Sequence, residues 1–255
     1  MKNWTIATTI MSVVAVLIAA LSYARLNGEI IDAQAQVAAL KSEVSRLQPS
    51  GSQSGTSLTM VDLVSAIQPV VVRIEVVGSG FQASGSGVVI RGDGYLITNQ
   101  HVIDSATSIS VTLGNNQQFG ATVVSSDSDL DLAVLRLTNA PGNLPTVELG
   151  APSDVVVGGI AVAAGFPLGA DLPGPASFTQ GIVSAIRTLN GQRFVQSDVQ
   201  INPGNSGGAL VARTTGRLIG ITTAGIVPRG QDIEGIGLAI PVDVVQGYLQ
   251  ANPIK

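Results

Sequence analysis

Between Val70 and Thr223 the apolar residues come in short β-branched runs separated by glycine, asparagine, aspartate and proline, with no ten-residue helical pattern between them. The runs cover 70–77, 87–90, 95–98, 108–113, 121–125, 132–137, 160–164, 181–186 and 218–223. Strands this closely spaced pair as antiparallel neighbours, because a parallel sheet needs a long crossover, usually a helix, between each pair. An all-β domain is therefore expected over 58–255. The 30 glycines and a charged fraction of only 12 % suit tight turns better than long surface helices, and a hydrophobic fraction of 45 % is ample for a core. Two helical patterns flank the runs. One places Val61, Leu63, Val64 and Ile67 on one stretch and stops at Pro69; the other covers 241–251.

Ahead of the domain, residues 5–24 (TIATTIMSVVAVLIAALSYA) carry no charge. As a helix this stretch spans about 30 Å, the thickness of a bilayer's hydrocarbon core, and 1–25 is read as a membrane anchor. Lys2 and the small-x-small triplet Ser22-Tyr23-Ala24 leave a signal peptide cleaved near Ala24, and so a secreted protein, as the alternative. The length of the apolar stretch favours retention. Lys2 lies on the near side, while Arg25 on the far side is offset by Glu29 and Asp32. That bias puts the domain on the extracytoplasmic face.

Leu26, Ile30, Ala33, Val37, Leu40, Val44 and Leu47 then alternate at spacings of 4 and 3, a heptad seam that reads as a coiled-coil stalk over 26–48. Its length would be roughly 35 Å. An apolar stripe with no core to cover argues for self-association, and β-branched residues at a with leucines at d favour a parallel dimer. The flanking Glu29, Gln34, Gln36, Lys41, Glu43 and Gln48 form no complementary pairs, so the seam specifies oligomer number weakly. Residues 49–57 (PSGSQSGTS) are a flexible linker by composition.

Charge and residue usage narrow the chemistry. A net charge of −4 with 13 scattered Lys and Arg offers no basic surface for nucleic acid. With no cysteine and one histidine, a zinc site of thiolates or imidazoles lacks ligands, and no metal is expected. Gly78-Ser79-Gly80-Phe81-Gln82-Ala83 matches a loose dinucleotide fingerprint, yet it leads into a strand rather than the helix that would hold a pyrophosphate. No cofactor is expected.

The single histidine, His101, stands in Leu96-Ile97-Thr98-Asn99-Gln100-His101-Val102, and Gly204-Asn205-Ser206-Gly207-Gly208 lies far downstream. A serine hydroxyl needs a base that titrates near neutral pH, which only histidine supplies unperturbed. If Ser206 is a nucleophile, His101 is its base. Glycines around the serine permit a sharp turn whose backbone N–H groups converge, as stabilisation of an oxyanion requires. A carboxylate should orient the imidazole. Of Asp127, Asp129 and Asp131, the third sits between leucines at the head of an apolar run, where a charge requires a specific partner. The other two suit a solvated turn.

These residues resemble the HtrA/Deg family of trypsin-like serine proteases over about 58–241. The blocks that carry the resemblance are Gly85-Ser86-Gly87-Val88-Val89-Ile90, the His101 segment, Asp131-Leu132-Ala133-Val134-Leu135, Gly181-Ile182-Val183-Ser184-Ala185, Ile201-Asn202-Pro203-Gly204-Asn205-Ser206-Gly207-Gly208 and Gly235-Ile236-Gly237-Leu238-Ala239-Ile240-Pro241. The resemblance implies a chymotrypsin-like pair of six-stranded β-barrels dividing near residue 150, with a catalytic triad of His101 and Asp131 from the first and Ser206 from the second. It implies oxyanion donors at Gly204 and Ser206, and a substrate pocket near Gln200, Ile201, Thr222, Thr223, Ala224 and Gly225. The order His, Asp, Ser agrees with the chymotrypsin arrangement. Neutral Gln200 stands where trypsin-like pockets carry an acid, so cleavage after small or medium apolar residues is expected.

The family also implies protein or peptide substrates exposed by unfolding or stress, and trimers assembled through the protease domain, against the dimer rule of the seam. Departures from the family pattern are Gln100, Gln200, Ala209 and Phe166-Pro167, none of which removes a catalytic group. The sequence ends at Lys255, before the point where most relatives carry a PDZ domain, so regulation through such a domain is not expected unless the sequence is a piece of a longer chain. A catalytically quiet, chaperone-like module using the same cleft is the alternative reading.

Overall fold

The computed structural model describes residues 25, 35–39, 58–223 and 236–254. Arg25 and residues 35–39 are helical, whereas the expected anchor, the rest of the stalk and the linker lie outside the described residues. No helix among the described residues is long and apolar enough to cross a membrane.

Residues from Ser57 onward form one compact unit. It opens with α1 (Met60–Ile67), whose first turn is closed by reciprocal hydrogen bonds: Thr59 Oγ1 accepts from Asp62 N–H at 3.1 Å, and Asp62 accepts from Thr59 N–H at 3.0 Å. The strands then come in two sets of six. The first comprises β1 (Val71–Gly78), β2 (Phe81–Arg91), β3 (Tyr95–Thr98), β4 (Ala106–Thr112), β5 (Gln118–Asp127) and β6 (Leu132–Leu137). The second comprises β7 (Ile160–Gly165), β8 (Ser177–Leu189), β9 (Gln192–Ser197), β10 (Ala209–Ala212), β11 (Leu218–Thr223) and β12 (Gly237–Pro241). The single turn α2 (Gln100–Ile103) follows β3, and α3 (Val242–Ala251) follows β12.

Each set closes into an antiparallel barrel, in the order β1-β2-β3-β6-β5-β4 and, repeating the same connectivity, β7-β8-β9-β12-β11-β10. Closure removes every sheet edge. It also buries both faces of many strands, which explains why runs such as Leu132-Ala133-Val134-Leu135 are apolar throughout instead of alternating. Ala133, Leu135 and Leu137 point into the first barrel with Val72, Ile74 and Leu96, while Leu132 and Val134 face a central cluster. The second barrel combines the alanines Ala161, Ala163, Ala212 and Ala239 with Val183, Val195, Val199, Leu210 and Ile219. Its outer faces contribute Val162, Val211, Leu218 and Ile240 to the central cluster. The barrels are thus joined by a third core.

Helices at the two ends of the unit seal that core crosswise. Leu63 and Ile67 of α1 belong to the central cluster, and Arg213, in the second barrel, donates to the Leu58 carbonyl just ahead of α1, although the chain continues from α1 into the first barrel. Reciprocally, α3 leaves the second barrel and reaches the first, where the Tyr248 hydroxyl donates to Ser125 Oγ at 2.8 Å and Arg91 donates to the Ile254 carbonyl at 2.9 Å.

Two expectations shift in detail. The second strand begins at Phe81, not Gly87, because the Gly78–Gly80 turn makes a hairpin that pairs Val77 with Gln82 and Glu75 with Ser84. Strands also form at 192–197, 209–212 and 237–241, outside the β-branched runs, where pairing with neighbouring strands of the second barrel sets the backbone. Helix α1 predicts a contrast within one turn. Leu63→Ala, at a fully buried site, should cost about 2–5 kcal/mol in denaturant unfolding, and Val61→Ala, at a site 74 % exposed, within about 0.5 kcal/mol of zero.

Candidate active site

The three residues singled out by chemistry reach the joint between the barrels from three separate connections. His101 rides on α2, immediately after β3; Asp131 ends the turn from β5 to β6; Ser206 sits in the loop from β9 to β10. His101 Nδ1 lies 2.9 Å from both carboxylate oxygens of Asp131, and the His101 backbone N–H donates to Asp131 Oδ1 at 3.0 Å. An ionised carboxylate only accepts, so Nδ1 carries the proton and Nε2 presents its lone pair. The imidazole side chain is 38 % exposed and the carboxylate 18 %, so the base faces the cleft and its orienting acid lies behind it.

Asp131 adopts a left-handed backbone, with φ of 53°. Aspartate tolerates this conformation better than most residues, yet it is held only where the surroundings insist. Here Asn99, fully buried, donates its side-chain amide to the Asp131 carbonyl at 2.9 Å. From the second barrel, Thr223 Oγ1 donates to Asp131 Oδ2 at 3.0 Å. Backbone, both carboxylate oxygens and the histidine are therefore fixed together. By contrast Asp127 accepts from the backbone N–H groups of Asp129 and Leu130, both at 2.9 Å, and merely shapes the turn.

The nucleophile loop is built by glycines that admit no side chain. Gly204 has φ of 96°, and a Cβ there would sit 2.4 Å from the Phe166 carbonyl oxygen; Gly207 has φ of 83°, and a Cβ would meet Ser86 O and Thr98 Oγ1 at 2.2 Å. Carbonyls in this loop are pinned. Leu168 N–H donates to Pro203 O at 2.8 Å, and Thr222 Oγ1 donates to Asn205 O at 2.6 Å. In a trans peptide the N–H points opposite to the C=O. Those two bonds therefore turn the N–H groups of Gly204 and Ser206 away from the Leu168 and Thr222 sides, as a pair of oxyanion donors requires. Ser206 is 5 % exposed.

The residues expected around the substrate pocket divide. Gln200 is exposed, with its carbonyl accepting from Thr179 Oγ1 at 3.2 Å, and Ile201 is half-buried. Thr222 is fully buried and Thr223 is 3 % exposed, and their hydroxyls hold the nucleophile loop and Asp131. Ala224 and Gly225 lie outside the described residues. Two further residues bear on the site without being singled out by the sequence, Asn99 and the serine of the Gly85-Ser86-Gly87 block. Asn99 could have been suspected, as an amide two residues from the base.

The profile of the family described as a trypsin-like peptidase domain matches residues 85–221, more than half of the chain. The periplasmic serine endoprotease DegP of Escherichia coli K12 is 43 % identical over 172 residues, which cover 65 % of this chain and 35 % of DegP. The serine endoprotease DegS of Haemophilus influenzae is 39 % identical over 173 residues, covering 65 % of this chain and 49 % of DegS. Among solved structures, the HtrA-type protease AlgW with tripeptide superposes with a TM-score of 0.68 at 37 % identity, covering 76 % of this chain and 63 % of that one. The match thus spans about a third to a half of these curated relatives. Two six-stranded barrels, and a profile match running from β2 to β11 across His101, Asp131 and Ser206, place this chain in the trypsin-like peptidase family, and the relatives it resembles there are of HtrA/Deg type.

Proposed function

We propose that this chain is a serine endopeptidase of HtrA/Deg type with His101, Asp131 and Ser206 as its triad. The observation that carries the reading is the His101 Nδ1 contact of 2.9 Å to both Asp131 oxygens, at the barrel joint that also holds the Ser206 loop. In this mechanism Nε2 of His101 takes the Ser206 hydroxyl proton as Oγ attacks the scissile carbonyl. The negative charge that develops on the carbonyl oxygen is met by the N–H groups of Gly204 and Ser206. The imidazolium, stabilised by Asp131, then protonates the leaving amine, and a water activated by the same histidine releases the acyl group from Ser206.

The finer reading follows from residue chemistry and from the relatives. Gln200 brings no negative charge to the pocket, which supports cleavage after small or medium apolar residues. Unfolded or stress-exposed proteins are the proposed substrates, in extracytoplasmic quality control or stress signalling; the relatives DegP and DegQ are named as periplasmic endoproteases. Attachment to the membrane through 5–24 and self-association, as a trimer ahead of a dimer, complete the proposal; the uncharged stretch supports the first and the heptad seam the second, while the ranking of trimer over dimer rests on the family resemblance alone.

Two measurements test it. Ser206→Ala should abolish both casein hydrolysis and labelling by a fluorophosphonate, and hydrolysis persisting at the wild-type rate would refute the triad. Asp131→Asn should keep the fold while lowering kcat on a chromogenic peptide by a factor of about 10⁴, because the imidazole loses the tautomer that presents Nε2 as acceptor. A loss of less than about tenfold would remove Asp131 from its assigned role.

A further inference from the structure

Ser86 lies on β2 of the first barrel, is fully buried, and uses its polar groups almost entirely on the second barrel. Its N–H donates to the Ser206 carbonyl at 2.8 Å. Its hydroxyl donates to the Gly204 carbonyl at 2.7 Å and accepts from Phe166 N–H at 2.8 Å. Only its own carbonyl stays within the first barrel, accepting from Thr98 Oγ1 at 2.7 Å. A buried hydroxyl is costly unless satisfied, and a strand residue between two glycines needs none. The partners show its use: both carbonyls belong to the nucleophile loop, and the amide belongs to the segment that abuts it.

Together with the bonds to Pro203 and Asn205, Ser86 completes a set in which all four consecutive carbonyls from Pro203 to Ser206 are held. Pro203 O is held by Leu168, Gly204 O by the Ser86 hydroxyl, Asn205 O by Thr222 and Ser206 O by the Ser86 amide. Each oxyanion donor is thereby fixed on both sides, since the peptide plane before it sets where its N–H points and the plane after it stops the residue from rotating. The hydroxyl also ties Phe166 to Gly204, so the 166–168 segment and the nucleophile loop are joined twice, once directly and once through the first barrel.

We propose that Ser86 is a positioning residue that orients the oxyanion-binding amides of Gly204 and Ser206 from the opposite barrel, in register with His101. The inference rests on the protease reading of Ser206. Without the hydroxyl, the Gly204 carbonyl and the Phe166 N–H lose their shared partner inside the protein, and the loop relaxes to satisfy them. Donors displaced by a fraction of an ångström stabilise the transition state less, while substrate binding in the ground state is largely kept.

The test uses purified full-length wild type, Ser86→Ala, Ser86→Cys and, for comparison, Tyr248→Phe, which loses a hydrogen bond between α3 and β5 far from the loop in sequence. Steady-state hydrolysis of a chromogenic peptide, the rate of Ser206 labelling by a fluorophosphonate, and Tm are read on each. Ser86→Ala should lower kcat about 10- to 100-fold with KM within about twofold of wild type, and slow labelling in parallel. Ser86→Cys, with a weaker donor and acceptor in the same place, should fall between, and Tyr248→Phe should keep kcat even where Tm drops. Should Ser86→Ala fail to fold, Ser86→Cys decides by the same kcat-against-KM split. A Ser86 variant that is folded with kcat within about twofold of wild type, or a kcat loss matched by Tyr248→Phe at an equal fall in Tm, overturns the role. Those results leave the protease reading standing, whereas a wild type that neither hydrolyses nor labels overturns both.

Discussion

The hydrogen bonds that cross the joint between the barrels are the constraint on which the site depends. The central cluster, fed by the outer faces of both barrels, supplies most of the adhesion, but apolar contact is non-directional and cannot set register to a fraction of an ångström. Directional bonds do that. Thr223 reaches from the second barrel to Asp131 in the first, and Ser86 reaches from the first to Gly204 and Ser206 in the second. One bond aligns the acid and base with the second barrel, and the other two align the nucleophile with the first. Buried in a low-dielectric joint, such bonds are strong when complete and expensive when one partner is lost.

The repeated barrel order explains how so plain a composition builds this site. Closure leaves no edge, so every functional group must come from a connection between strands or from a strand face turned to the joint. His101 and Asp131 occupy connections, Ser206 occupies a third, and Ser86 and Thr223 occupy strands at the seam. Asp131 bears the conformational cost, a left-handed backbone held by Asn99 from behind and by Thr223 and His101 in front. Backbone strain of this kind concentrates where geometry is in demand.

Much of this was legible in the sequence because the relevant signals are local or unique. Short β-branched runs announced strands, the lone histidine named its own role, and Asp131 stood out as a charge at the head of an apolar run. What escaped was non-local. The Ser86 bond to Gly204 joins residues 118 apart, and the Thr223 bond to Asp131 joins residues 92 apart, so no window of sequence contains either. The same holds for the hydroxyls of Thr222 and Thr223, residues that the resemblance puts near the pocket: they bond Asn205 O and Asp131 Oδ2, partners far away in sequence. The polar half of β2 was missed since Gln82 to Ser86 lacks apolar alternation, its pairing being dictated by the hairpin with β1. The helical turn bearing His101 is too short for any periodicity to show.

The joint, on this reading, presents Ser206 to His101 and aims two amides at one point. A crystal structure of the chain inactivated by a peptidyl phosphonate tests it most directly. The expected result is phosphorus bonded to Ser206 Oγ, its phosphoryl oxygen about 3 Å from the N atoms of both Gly204 and Ser206, and His101 Nδ1 still on Asp131. Phosphorus on another residue, or a phosphoryl oxygen turned away from both amides, would contradict it.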